Sequence, residues 1–121
     1  MAYRLSIQHK GQYIHVKASG VTNLQNALAI WKKVAQVSRR SSIKKVLCEG
    51  CLEIPEYKVT LYDYGSRISD TDIPNGTRIA LICKQDIYEE LSKSGTVSTT
   101  RFSVFPRVFI DIDEGIKWLT K

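Results

Sequence analysis

The first 48 residues contain no aspartate and no glutamate. Nine bases stand there alone: Arg4, Lys10, Lys17, Lys32, Lys33, Arg39, Arg40, Lys44 and Lys45, a charge of +9. Residues 49–121 hold nine bases and twelve acids, a charge of −3, so the 121-residue chain carries +6. A missing sign of charge in one half points to a charged partner, without naming one. Other scarcities exclude whole classes. No apolar run approaches the ~20 residues that span a bilayer, so no membrane span is expected. The opening Met-Ala-Tyr-Arg-Leu-Ser has no apolar stretch of the kind that directs secretion. Three cysteines is an odd number, which argues against a disulfide scaffold and for reduced thiols in a cytoplasmic setting. No repeat, low-complexity tract or Pro- or Ser-rich linker interrupts the chain. With 43% hydrophobic and 25% charged residues, the composition is that of one globular domain over residues 1–121.

The chain opens with strict alternation. Tyr3, Leu5 and Ile7 oppose Arg4, Ser6 and Gln8, and after Lys10-Gly11 the same period returns with Ile14, Val16 and Ala18 opposing Tyr13, His15 and Lys17. Two half-buried strands about a tight turn make a β-hairpin. The period then becomes helical. Leu24, Leu28, Trp31 and Ala35 form one stripe flanked by Ala27 and Val34, with Thr22 and Gln25 as a capping box. The helix is expected to end near Val37–Arg40. Ile43–Cys48 reads as a buried parallel strand, Glu49-Gly50-Cys51 as a loop, and Pro55 as a first helical residue. Tyr57, Leu61, Tyr64 and Ile68 give a second helical stripe, and Pro74-Asn75-Gly76 a turn. Thr77–Cys83 is the most apolar strand, and residues 85–94 a third helix. Residues 95–105 lean toward β but are compatible with a crossover helix. Val108-Phe109-Ile110 reads as a last strand, and Asp111 as the cap of a closing helix with Glu114 at the capping-box position and Ile112, Ile116 and Leu119 inward. The order ββαβαβαβα requires an α/β fold: an antiparallel hairpin joined to a mostly parallel sheet with packed helices.

Three landmarks, Gly11–Val16 with Ser19-Gly20, Arg78–Cys83, and Val108–Asp111 leading to Trp118-Leu119, resemble the STAS domain family, the fold of sulphate-transporter and anti-sigma-factor-antagonist domains. The closer likeness is to small stand-alone bacterial STAS-like, sporulation-antagonist-like (SpoIIAA-like) proteins. The resemblance implies a four- or five-stranded mixed sheet with helices on one side, in a regulatory domain that binds rather than catalyses. In that family a Ser or Thr at the start of the second helix is phosphorylated. Here the matching segment, Cys48–Glu56, has neither, and none occurs between Ser42 and Thr60. A phosphorylation switch is therefore not expected at this place.

Ligands of α/β sheets gather at the carboxyl ends of strands. The expected contact region for a protein partner or a second copy of the chain is thus Glu49, Gly50, Cys51, Glu53, Glu56 and Tyr57. An apolar or lipid-like small ligand is the alternative occupant, with Tyr57, Tyr62, Tyr64, Tyr88 and Trp31 as candidate walls. Cys48-Glu49-Gly50-Cys51 is a Cys-x-x-Cys and offers a second alternative, a thiol redox or metal protein using Cys48 and Cys51. Glu49 between the thiols disfavours a thiolate, and with His9 and His15 away in the hairpin one Cys-x-x-Cys is a weak zinc signal. Burial as small hydrophobes is the plainer expectation for Cys48 and Cys83. His9 and His15 lack an orienting acid in sequence and read as strand-surface residues, so no catalytic residue, metal site or cofactor is assigned. Arg39-Arg40 and Lys44-Lys45, with Lys32 and Lys33, are able to meet phosphates, but no helix-turn-helix, RNP-type pair or zinc finger accompanies them, and Gly20, Gly50 and Gly76 stand alone without a phosphate loop. Specific nucleic-acid recognition is not expected.

Overall fold

The computed structural model describes residues 3–20, 24–50, 66–93 and 104–121. They build one five-stranded sheet in the order β1-β2-β3-β4-β5. The strands are β1 (Arg4–His9), β2 (Ile14–Ser19), β3 (Lys45–Glu49), β4 (Arg78–Ile82) and β5 (Phe105–Phe109). β1 and β2 pair antiparallel, as the alternation on both sides of Lys10-Gly11 predicts, and the Lys10 amide donates to the Tyr13 carbonyl at 2.9 Å to close the turn. Every later pairing is parallel. The helices are α1 (Leu24–Ser41), α2 (Gln85–Lys93) and α3 (Ile112–Thr120), and residues 66–69 are also helical.

Successive residues of a strand face opposite ways, and the sheet uses both faces. Ile14, Val16, Val46, Cys48, Ile79, Leu81 and Val108 point to one face. Ala27, Ile30, Trp31, Val34 and Ala35 of α1 close over them with Ile68 and Ile73, and Ile87 and Tyr88 of α2 pack at the margin. Leu47 and Ala80, fully buried, point the other way and are covered by α3 through Leu119, Ile112, Ile116 and Trp118. Helices on one side only, as the family resemblance implied, is therefore corrected: the closing helix lies on the opposite face. The reason stands in the strands themselves. Val46-Leu47-Cys48 and Ile79-Ala80-Leu81 are unbroken apolar runs, and such runs need cover on both sides. Gly115 brings α3 close, since a Cβ there would sit 2.9 Å from Ile82 Cδ1 and 3.2 Å from Leu47 Cδ1.

The local expectations fare unevenly. α3 starts where the cap predicts: the Asp111 carboxylate accepts from the Asp113 amide at 3.0 Å. In α1 the buried stripe runs through Ala27, Ile30, Trp31, Val34, Ala35 and Ser38, while Leu28 is only half-buried. The stripe is thus rotated by part of a turn from the expected one, and Ile30 joins the core. Trp31 is wholly buried in that core and is not a cleft wall. The Ser38 hydroxyl donates to the Ile43 carbonyl, and Ser42 ends the turn with φ 60°. β3 runs Lys45–Glu49 rather than Ile43–Cys48, and β5 Phe105–Phe109 rather than Val108–Ile110. Its buried Pro106 is tolerated because, among the described residues, β5 pairs with β4 alone and is an edge, where a missing N–H costs no ladder bond. The capping box at Thr22, the helix expected from Pro55 as far as residue 65, and most of residues 95–105 lie outside the described residues, while the last residue of that helical stripe, Ile68, is helical and buried. Among the described residues no helix is long and apolar enough to cross a membrane.

Candidate functional site at the carboxyl edge of the sheet

The parallel strands all run toward one edge, and an open cleft of about 580 Å³ lies there. β2 ends at Ser19, β3 at Glu49 and β4 at Ile82, and the antiparallel β1 begins there at Arg4. Register sets the walls. Arg4 pairs with Ser19, Ser6 with Lys17, Lys17 with Glu49, and Glu49 with Ile82. The side chains at these positions share the face that α3 covers over β3 and β4 but leaves open toward the hairpin. Arg4, Lys17 and Lys84 bring three cations to the cleft and Glu49 one carboxylate, while Leu5, Ala18 and Ile82 make its apolar part.

Glu49 is held in place. His15 Nε2–H donates to Glu49 Oε2 at 2.6 Å, between β2 and β3. The imidazole is only 12% exposed and the carboxylate 32%, so the contact is partly shielded from water. Tyr13 flanks the imidazole with ring centroids 6.4 Å apart. His15 is therefore not a bystander on the strand surface, as its sequence context suggested, but the residue that orients the acid of the cleft.

Gly50 is fixed by contact. Its φ is +86°, and a Cβ built on it would fall 1.9 Å from the backbone oxygen of Ala18. The chain thus leaves β3 pressed against the end of β2, and only glycine meets both demands. This turn sets the rim of the cleft.

Of the residues expected at the site, the structure brings Glu49 and Gly50 into the cleft. Cys51, Glu53, Glu56 and Tyr57 lie outside the described residues. Cys48 points to the opposite face, into the main core, and is disulfide-bonded. That differs from the expectation of a reduced, merely packed thiol. The objection that Glu49 would disfavour a thiolate also weakens, because alternation turns Glu49 away from Cys48 and toward His15. Cys83, a buried cysteine, lies at the end of the neighbouring strand and contributes to the cleft wall. Among the described residues no group of His, Cys, Asp and Glu is arranged to hold a metal ion. Arg4, Lys17, Lys84 and His15 were not anticipated. Their signal was present only in part: Arg4, His15 and Lys17 occupy the polar phase of the alternating hairpin, but which strand end they meet depends on register. Set against protein-family models and curated proteins, the chain matches none.

Proposed function

We propose that this protein is a non-catalytic binding and regulatory module of STAS-like character, which acts through a protein partner at the carboxyl edge of its sheet. The observation that carries this reading is the convergence of Arg4 and Lys17, from two different strands, around the anchored Glu49-Gly50 turn on an open, partly apolar cleft. Cations beside apolar surface suit a partner segment that mixes acidic and aliphatic side chains, with charge steering the encounter and burial holding it. The five-stranded mixed sheet with its leading hairpin is compatible with the family resemblance. A likeness of fold is weaker support than the cleft.

The test is fluorescence anisotropy with a labelled short peptide of Glu and Leu, and a matched peptide of Lys and Leu as control. The acidic peptide binds, and Lys17→Glu or Arg4→Glu weakens it about fivefold, the upper end for an exposed charge pair. Equal binding of both peptides, or indifference to both substitutions, defeats the reading.

One observation favours a second reading. Cys48 is disulfide-bonded, which fits a thiol redox role for the Cys-x-x-Cys with Cys51, three residues on, as the partner assigned by spacing. Reducing compartments hold most thiols reduced, so in the cytoplasm such a bond is transient and regulatory rather than structural. Thiol titration in denaturant decides: air-equilibrated protein should show one thiol of the three cysteines and, after reduction, all of them. Three thiols without reductant remove this reading and leave the first untouched.

A further inference from the structure

The opposite, amino edge of the sheet carries a second hollow, of about 450 Å³. Lys44, Lys45, Arg78 and Lys121 line it together with Gln12 and Ser42, and no acid lines it among the described residues. These cations come from three places far apart in sequence, so their meeting is a product of the fold. Two features set it apart from a solvated lysine face. Lys45 and Arg78 are direct partners in the β3–β4 ladder, on the same face. Like charges directly opposite one another destabilise a sheet. Arg78 is also held rather than free to swing away: its guanidinium lies 5.8 Å from the centroid of the Trp118 ring, and Nη1 donates to the Trp118 carbonyl at 3.4 Å.

The ends of α1 and α3 both reach this edge, and helix C-termini are negative. Each supplies roughly half a charge, about −1 together, against four cations. A free carboxylate on Lys121 would take off one more. A net charge of about +2 or +3 remains in a concave space with amide and hydroxyl groups in its wall.

We propose that this hollow is a binding site for an oligophosphate group, a compact anion of several charges. It is independent of the carboxyl-edge cleft and of the function proposed there. The phosphates are free or form the tail of a larger small molecule, and both present the same oxygens to Lys44, Lys45, Arg78 and Lys121. Four cations gathered around one hollow, rather than spaced along a ridge, favour a compact ligand over a nucleic-acid strand.

The experiment follows backbone amide shifts and calorimetric heat on adding inorganic tripolyphosphate at fixed ionic strength. Adenosine triphosphate forms a second arm and a single-stranded oligonucleotide a third. The expected result is one site, with shifts at Ser42–Lys45, Gly76–Arg78 and Lys121. Lys44→Gln and Lys121→Gln should each weaken it roughly two- to fivefold, and Lys33→Gln, on the exposed face of α1, should leave it unchanged. Tripolyphosphate stronger than the nucleotide assigns free phosphate; the reverse assigns a phosphate tail. A further signature separates a ligand site from a structural cluster: Lys45→Gln should raise the melting temperature of ligand-free protein while weakening tripolyphosphate binding. No binding at millimolar tripolyphosphate, equal weakening by Lys33→Gln, or oligonucleotide binding that tripolyphosphate does not displace overturns the proposal. So does a lower melting temperature for ligand-free Lys45→Gln together with undiminished binding.

Discussion

Replacing Gly50 by alanine places a methyl carbon 1.9 Å from the carbonyl oxygen of Ala18 and 3.0 Å from its carbonyl carbon. An ordinary carbon–oxygen contact is roughly 3.3 Å, so about 1.4 Å must be found. The obstacle is backbone at the end of β2, which moves only if the β2–β3 ladder opens at Lys17–Glu49. Two costs add. Holding a non-glycine residue in the left-handed region costs about 1–2 kcal/mol, and forcing the chain apart at a packed site costs about 1–3 kcal/mol more. The sum is about 2–5 kcal/mol. With an unfolding entropy near 2.1 cal/mol/K per residue over 121 residues, that lowers the melting temperature by roughly 8–20 °C. Gly76 is the control. It has φ +85° but nothing within 4 Å of a built Cβ, so Gly76→Ala pays only the conformational cost, roughly 4–8 °C. Thermal unfolding followed by circular dichroism measures both. If Gly50→Ala melts no lower than Gly76→Ala, the backbone contact that anchors the cleft rim is refuted.

Two other substitutions probe the scaffold and the site. Trp31→Ala empties a wholly buried position and should cost about 3–5 kcal/mol in urea unfolding, whereas Ile110→Ala, at a residue 47% exposed, should stay within about 0.5 kcal/mol; equal losses would contradict the placement of α1 over the sheet. A double-mutant cycle on His15→Ala and Glu49→Gln should give a coupling of about 1 kcal/mol, between the values for exposed ion pairs and for shielded charged hydrogen bonds, and a coupling indistinguishable from zero would show that the imidazole does not orient the acid.

Much of the scaffold is legible in the residues. Period-two alternation on both sides of Lys10-Gly11 marks the hairpin, and the apolar run in Thr77–Cys83 marks a buried strand, because each pattern is local. The Asp111 cap is equally local. The side on which α3 packs was less accessible, although its cause was visible: Leu47 and Ala80 are apolar at positions that a one-sided sheet would leave to polar residues. The α1 stripe was displaced because Leu28 and Ile30 are both apolar and two residues apart, and the packing of α1 on the sheet buries Ile30 and leaves Leu28 half-buried. The site is harder still. Glu49 and Gly50 follow from the rule that ligands meet strands at their carboxyl ends. Arg4, His15 and Lys17 depend on the register of β1 against β2 and of β2 against β3, and a shift of one residue would send them to the other face.

Whether a partner binds at the carboxyl edge of the sheet is decided by amide shift mapping with the Glu-Leu peptide. Perturbations should cluster at Arg4–Ser6, Lys17–Ser19, Glu49-Gly50 and Ile82–Lys84, the residues that line the cleft, and vanish in Lys17→Glu. Perturbations centred instead on the outer face of α1, or at the amino edge around Lys44 and Arg78, would contradict binding at the carboxyl edge.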